Sequence, residues 1–108
     1  MVEEYKRYDI VLVKLNPTVG SEIQKTRPCI IISPDEINSL KTTMVAPMTS
    51  KGFDFIFRPK IKFENKNGLV LLDQIRTIDK SRIVKIIGNV ETKKAKEISK
   101  MLTELFEY

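Results

Sequence analysis

Arg27 is the residue whose neighbours best fit it for chemistry on a charged group. It stands directly before Pro28 and the apolar run Cys29-Ile30-Ile31-Ile32, at the end of a polar loop from Asn16 to Thr26. A following proline biases Arg27 toward extended backbone, and Pro28, lacking an amide hydrogen, suits the first position of a strand. The result is a guanidinium at the fixed rim of a sheet. Its planar fork grips two phosphate oxygens at once, and its high pKa makes it a donor rather than a base. Thr49 and Ser50, where a later apolar run ends, offer hydroxyls and amides to the same oxygens; removing one such donor typically costs about 3–4 kcal/mol of barrier. Glu22 is the carboxylate nearest in sequence to accept a proton. The plainer reading of Arg27 is a surface charge ahead of a buried strand.

The chain has no histidine, which excludes histidine triads, histidine-paired ribonuclease chemistry and histidine-ligated metal centres. Proton transfer is left to carboxylates, arginine, lysine, tyrosine, hydroxyls or water. One cysteine, Cys29, cannot form an internal disulfide, and no Cys/His spacing for a metal site exists. Inside an apolar run, Cys29 reads as a small buried hydrophobe rather than a nucleophile. A formal net charge of +5 over 108 residues favours a polyanionic partner, although a solvated lysine-rich surface fits the charge equally. No signal peptide or long apolar segment appears, so a cytoplasmic protein without a membrane anchor is expected.

The elements that must position these residues follow from periodicity and punctuation. One domain, 1–108, is expected. Tyr8–Leu15 and Pro28–Ile32 read as strands, joined by the loop that Pro17 and Gly20 punctuate. Its residues Ser21, Glu22, Gln24 and Lys25 hang beside Arg27; functional groups concentrate on such loops. Met1–Arg7 reads as polar and frayed at its start. Ser33-Pro34-Asp35-Glu36 looks like a capping box opening a short helical turn, with Ser33 as N-cap. Thr42–Met48 is a third strand, closed by the turn Thr49-Ser50-Lys51-Gly52. Phe53, Phe55 and Phe57 alternate with Asp54, Ile56 and Arg58, predicting a strand over 53–58 whose phenylalanines are core; a base-stacking platform is the other reading. Over 51–66 five basic residues, Lys51 among them, oppose two acidic ones, a phosphate-steering strip or a lysine-defended edge. Asn65-Lys66-Asn67-Gly68 reads as a turn, Leu69–Asp73 and Ile83–Val90 as the last strands, with Ile83–Ile87 mostly buried. From Thr92, an expected N-cap, Ala95, Ile98, Met101, Leu102, Leu105 and Phe106 recur on one face of a helix. Five or six short strands and one helix predict a mainly β, α+β fold: a small, strongly bent antiparallel sheet of SH3-like barrel type with a C-terminal helix.

The pieces Asp9-Ile10-Val11-Leu12-Val13, Asn16-Pro17-Thr18-x-Gly20-Ser21-Glu22, Thr26-Arg27-Pro28, Val45-Ala46-Pro47-Met48-Thr49-Ser50 and Leu72-Asp73-Gln74-Ile75-Arg76-Thr77-Ile78-Asp79, in that order, resemble the MazF/PemK family of toxin endoribonucleases over essentially the whole chain. The resemblance implies the plasmid-toxin barrel shared with CcdB and a homodimer with RNA in grooves at its interface. It further implies cleavage of single-stranded RNA without a cofactor or metal, and a cognate antitoxin whose acidic, disordered tail folds across the same groove. The arginine before the proline and the threonine of Pro-x-Thr, the usual catalytic pair, match Arg27 and Thr49; the acidic residue of Gly-Ser-Glu matches Glu22. Ser21, Gln24, Lys25, Ser50, Lys51, Asp73 and Gln74 are the expected RNA contacts. The PemK/Kid branch has histidine at the position of Ser21 and arginine at that of Leu71, as partners of an aspartate matching Asp73. An acid–base role for Asp73 therefore does not carry over, and a strand-end turn residue is its plainer reading.

Two other functions fit the same barrel. A gyrase poison of the CcdB kind would act by protein contact, but those relatives end in a tryptophan-containing tail, and this chain has no tryptophan and ends Leu105-Phe106-Glu107-Tyr108. A non-catalytic RNA-binding barrel would bind RNA through lysines such as Lys60 and Lys62 without cutting it.

Overall fold

A computed structural model of the chain describes residues 4–108. The strands are β1 (Asp9–Lys14), β2 (Thr26–Ile31), β3 (Thr42–Thr49), β4 (Lys60–Phe63), β5 (Lys66–Val70), β6 (Arg76–Asp79) and β7 (Ile83–Asn89), followed by the helix α1 (Thr92–Phe106). All pair antiparallel in the order β4-β5-β3-β2-β1-β7, with β6 also on β3. β3 is the hinge of the sheet. Its first half, Thr42–Val45, pairs with β6, and its end, Met48–Thr49, pairs with β5. The change of partner falls around Pro47, whose missing amide has no ladder bond to lose. The sheet curls so far that a side chain on Gly88 of β7 would meet the ring of Phe63 from β4 at 3.2 Å. This is the expected bent antiparallel sheet with one C-terminal helix.

Both faces of the central strands are buried, which explains their near-continuous apolar runs. On one face Val11, Val13, Cys29, Ile31 and Val45 form a core with Tyr5, Leu15 and Ile78. On the other, Ile10, Ile30, Ala46 and Met48 meet Ile98 of α1, with Met101, Leu102 and Leu105 alongside. Cys29 is fully buried. Burial pushes its thiol up to about 12, against a weaker opposing pull from Arg76. A thiol-specific reagent at pH 8 is accordingly expected to label Cys29 only as fast as the protein unfolds, a rate that denaturant should raise.

Several sequence expectations fail for identifiable reasons. Residues 53–58 form no strand: Phe57 has φ +65°, outside the extended region, and no neighbouring strand pairs there. Phe53 and Phe55 are 68% and 58% exposed rather than core, and only Phe57 packs toward the helix-side core. The reversal predicted at Asn65–Gly68 lies at Glu64-Asn65, both at positive φ, while Asn67 and Gly68 pair with Lys62 and Ile61 in β5; a two-residue turn with both residues left-handed matches the sheet twist. The strand expected over Leu69–Asp73 stops at Val70, and Leu72–Gln74 is a 3-10 turn. β4 and β6 were unanticipated: neither four-residue segment carries a strong apolar run. Ser33 does not cap the 3-10 turn Asp35–Ser39, where Pro34 holds the capping position. Its hydroxyl is instead buried against Thr43 at 2.8 Å and takes the Met44 amide. Glu91, not Thr92, occupies the helix N-cap. Val84 and Lys85 are exposed because β7 is an edge strand, and Phe106 is exposed beyond the packed stripe. Tyr5 is buried in the first core, so the polar N-terminal reading fails there; Met1–Glu3 lie outside the described residues.

Candidate active site

Arg27 is fixed by its strand. It pairs with Val13 of β1, whereas the β3 ladder begins only at Cys29, opposite Pro47. The Arg27 end of β2 therefore has one free edge. The half-buried guanidinium donates Nε to the Gln24 carbonyl at 3.2 Å. Its terminal nitrogens make no hydrogen bond among the described residues, so the fork stays available to a ligand.

The loop before Arg27 is tied at its base. Asn16 accepts the Lys25 amide on its side chain at 3.1 Å, and Leu15 donates its amide to the Lys25 carbonyl. Arg82 donates to the carbonyls of Lys14 and Asn16, and Arg76 to that of Leu15. Farther out, Gln74 accepts the Ile23 amide at 2.8 Å. The tip closes on itself: the Glu22 carboxylate takes the Val19 amide at 2.6 Å, while the Glu22 amide donates to the Val19 carbonyl. Gly20 supplies the positive φ, +59°, that this turn needs.

Thr49 ends β3 opposite Leu69. Its Oγ1 accepts the Lys51 amide at 3.1 Å, an arrangement that leaves the hydroxyl proton to donate elsewhere. Behind it the chains run unusually close: a Cβ on Gly68 would stand 2.6 Å from the Thr49 carbonyl oxygen. Only glycine permits β5 to hold the Thr49–Ser50 corner at that distance.

Arg27, Thr49 and Ser50 line one concavity of about 420 Å³, floored by Leu12, Met48 and Ile87. Lys66, Lys85 and Glu64 also line it, giving three cations with Arg27 against one carboxylate. Residues from β2, β3, the β4–β5 hairpin and β7 thus converge on a cationic hollow with hydroxyl donors, suited to a phosphodiester. The structure does not bring every expected residue there. Ser21, Glu22, Gln24 and Lys25 stay on the loop, Lys51 contributes its amide to Thr49, and Gln74 anchors the loop. Sequence reading placed Lys66 only in the basic strip over 51–66 and singled out neither Glu64 nor Lys85 for the site. Lys85 pairs with Leu12 across β1 and β7, a pairing visible only once the strands are ordered.

Asp73 lies elsewhere, in a two-pronged pair with Arg58 at 3.0 and 2.8 Å. That bond holds its carboxyl below the usual carboxylate range, against partial burial. A depressed pKa contributes stability above the ordinary value, about 3.9, that is lost as pH falls through the folded-state value. Asp73→Asn is therefore expected to lower stability at pH 7 by about 0.2–1 kcal/mol, the range for a partly exposed pair. The gap to wild type, read from urea midpoints across pH, should close only in acid below the carboxylate range.

The sheet and the C-terminal helix correspond to a known class. The family model for PemK-like, MazF-like toxins of type II toxin-antitoxin systems matches residues 6–106. An endoribonuclease MazF from Staphylococcus saprophyticus is 33% identical over 101 residues, 87% of this chain and 84% of that protein. One from Staphylococcus epidermidis is 31% identical over 104 residues, 90% of this chain and 87% of that protein. A crystal structure of MazF from Deinococcus radiodurans has the same fold, with a TM-score of 0.86 at 22% identity, covering 99% of this chain and 100% of that one. A MazE–MazF structure from the same organism gives a TM-score of 0.79 at 19% identity, covering 98% of each chain. The chain belongs to the PemK-like, MazF-like toxin family. Among the described residues no helix is long and apolar enough to cross a membrane.

Proposed function

We propose that this chain is an endoribonuclease toxin that cuts single-stranded RNA, acting on messages in the cytoplasm and restrained by a cognate antitoxin. The observation that carries the reading is that Arg27 and Thr49, from the ends of two different strands, line one concavity. In the proposed reaction the substrate's 2′-oxygen attacks phosphorus, the P–O5′ bond breaks, and a 2′,3′-cyclic phosphate and a 5′-hydroxyl result. The Arg27 fork neutralises charge growing on the phosphoryl oxygens, and the Thr49 and Ser50 donors add hydrogen bonds that strengthen as that charge develops. A carboxylate removes the 2′ proton, and a proton from water, or from the carboxylic acid so formed, completes the departing 5′-oxygen as the P–O5′ bond breaks. Glu22 is that carboxylate by the resemblance, and Glu64 is the alternative, because Glu64 lines the concavity while Glu22 holds the Val19 amide. Comparing the rates of Glu22→Gln and Glu64→Gln decides between them. Single strands are the proposed substrate because unpaired bases expose all their edges. Ser21, Gln24, Lys25, Lys51, Asp73 and Gln74 are proposed to contact the RNA outside the scissile phosphate, in a groove shared by two copies of the chain. The antitoxin's acidic tail would compete for the same cations, as an acidic segment that orders on binding can.

The test is purified protein incubated with single-stranded RNA in chelator, followed by mapping of the product ends. Scission with a cyclic phosphate and a 5′-hydroxyl is expected, and an RNA carrying a 2′-deoxy nucleotide at the cut should stay intact. Binding without scission would identify a non-catalytic barrel, and inactivity toward RNA with capture of gyrase would identify a CcdB-like poison.

A further inference from the structure

The segment between Thr49 and β4 carries three large apolar side chains into solvent, Phe53, Phe55 and Ile56. They are not loosely arranged. The Phe53 and Phe55 ring centroids lie 6.1 Å apart with the planes at 89°. The Arg58 guanidinium stands 5.5 Å from the centre of one ring and 5.8 Å from the other. Asp73 clamps that guanidinium through two bonds, and the Arg58 amide closes the segment on the Phe55 carbonyl at 3.1 Å. Next to Asp73 is Gln74, whose side chain holds the Ile23 amide in the loop that ends at Arg27. One short turn, Leu72–Gln74, therefore ties the aromatic cluster to the loop before the candidate catalytic arginine.

We propose that Phe53 and Phe55, held in place by Arg58, form a stacking site for an unpaired RNA base outside the scissile phosphate. This rests on the endoribonuclease reading above. Two rings at right angles make an L-shaped notch, in which a flat base stacked on one ring turns its own edge toward the face of the other. Bases stack on aromatic rings and on guanidinium planes alike, whatever their identity. Lys51 lies two residues before Phe53 in the chain, and Lys60, exposed and only loosely paired with Asp54 at 3.5 Å, follows Arg58 by two; both can serve a phosphate chain. A peptide anchor would need a hole for an aliphatic side chain, yet neither ring lines the 420 Å³ concavity or the larger one beside β4 and β5. Reach also fits: from Thr49 to Phe53 the chain spans at most about 14 Å, so the notch serves a base close to the cut. The rings are pre-ordered by Arg58 and Asp73, which reduces the ordering needed when a base arrives.

The experiment uses the double variant Phe53→Ala/Phe55→Ala, confined to exposed positions, and the single variant Phe53→Trp. The probes are a cleavable oligonucleotide bearing the mapped cut site and its uncleavable form, 2′-deoxy at the scissile nucleotide, with 2-aminopurine placed at each flanking position in turn. Relative to wild type, the double variant should bind the uncleavable RNA about tenfold more weakly and raise KM more than it lowers kcat. It should lose 2-aminopurine quenching at one flanking position, and an RNA abasic there should be bound equally by both proteins. Phe53→Trp should retain affinity. A double variant that binds and cuts like wild type overturns the stacking site while the endoribonuclease reading stands. Unchanged RNA affinity with a loss of sedimentation as a dimer, or with a loss of binding to a synthetic acidic peptide, reassigns the rings to a protein interface and overturns it too. If wild type neither binds nor cuts RNA, the endoribonuclease reading itself fails.

Discussion

Arg27→Ala is expected to slow RNA cleavage about 10²–10³-fold while shifting the denaturation midpoint little. The asymmetry follows from the contacts. Arg27 contributes one side-chain bond to the fold, from Nε to the Gln24 carbonyl, and its pairing with Val13 is made by backbone. A single exposed hydrogen bond is worth about 0.5–1.5 kcal/mol, whereas charge forming on a phosphoryl group in the hollow leans on the whole guanidinium. Arg27→Lys should restore only part of the rate, because an ammonium is a point charge without the planar fork. Lys66 and Lys85 line the same hollow, so some attraction for RNA should survive, and the loss should fall on kcat rather than on binding. Single-turnover rates with saturating enzyme, beside circular dichroism of the purified variant, separate the two effects.

Gly68→Ala is expected to have the second-largest effect, although the residue carries no functional group. Its added Cβ would sit 2.6 Å from the Thr49 carbonyl oxygen, 3.4 Å from the Thr49 carbonyl carbon and 3.7 Å from the Ser50 Cα. All three are backbone, which cannot turn aside as a flexible side chain does. β3 and β5 must part at the corner that holds the Thr49 hydroxyl and the Ser50 donors. Displacement of reacting groups by about 1 Å costs on the order of 10²-fold in rate, and overpacking of this kind typically costs about 1–3 kcal/mol of stability. Urea denaturation should therefore show a lowered midpoint, and the surviving folded fraction should cut RNA about 10²-fold more slowly. A variant with wild-type rate and stability would mean that the corner tolerates the shift.

The contrast between Arg27 and Gly68 shows where the sequence was informative. Arg27 was legible because its setting is local: a proline behind it, an apolar strand beyond it and a loop before it. β1 through β3 and the stripe of α1 were legible for the same reason, since strong apolar runs or a three-and-four spacing fix them whatever they pack against. Gly68 was misread as the end of a turn because Asn-Gly is a strong local signal, while the contact that needs a glycine comes from a strand nineteen residues earlier in the chain. The phenylalanines of 53–58 failed in the opposite direction. Their alternation copies a strand, but a strand also needs a paired neighbour, and β5 already occupies the edge of β3 there. That Glu64 and Lys85 line the concavity, and that Lys66 turns from the basic strip into it, was not legible, because only the curl of the sheet brings the β4–β5 hairpin over β7.

The central claim is that Arg27 and Thr49 act on one phosphate, and a double-mutant cycle tests it most directly. Cleavage rates would be measured for wild type, Arg27→Ala, Thr49→Ala and the pair of substitutions together, each shown to be folded. Groups that share one transition state are strongly non-additive, so the doubly substituted protein should be scarcely slower than Arg27→Ala alone. Rate losses that simply multiply, or an Arg27→Ala protein that cuts as fast as wild type, would contradict the account.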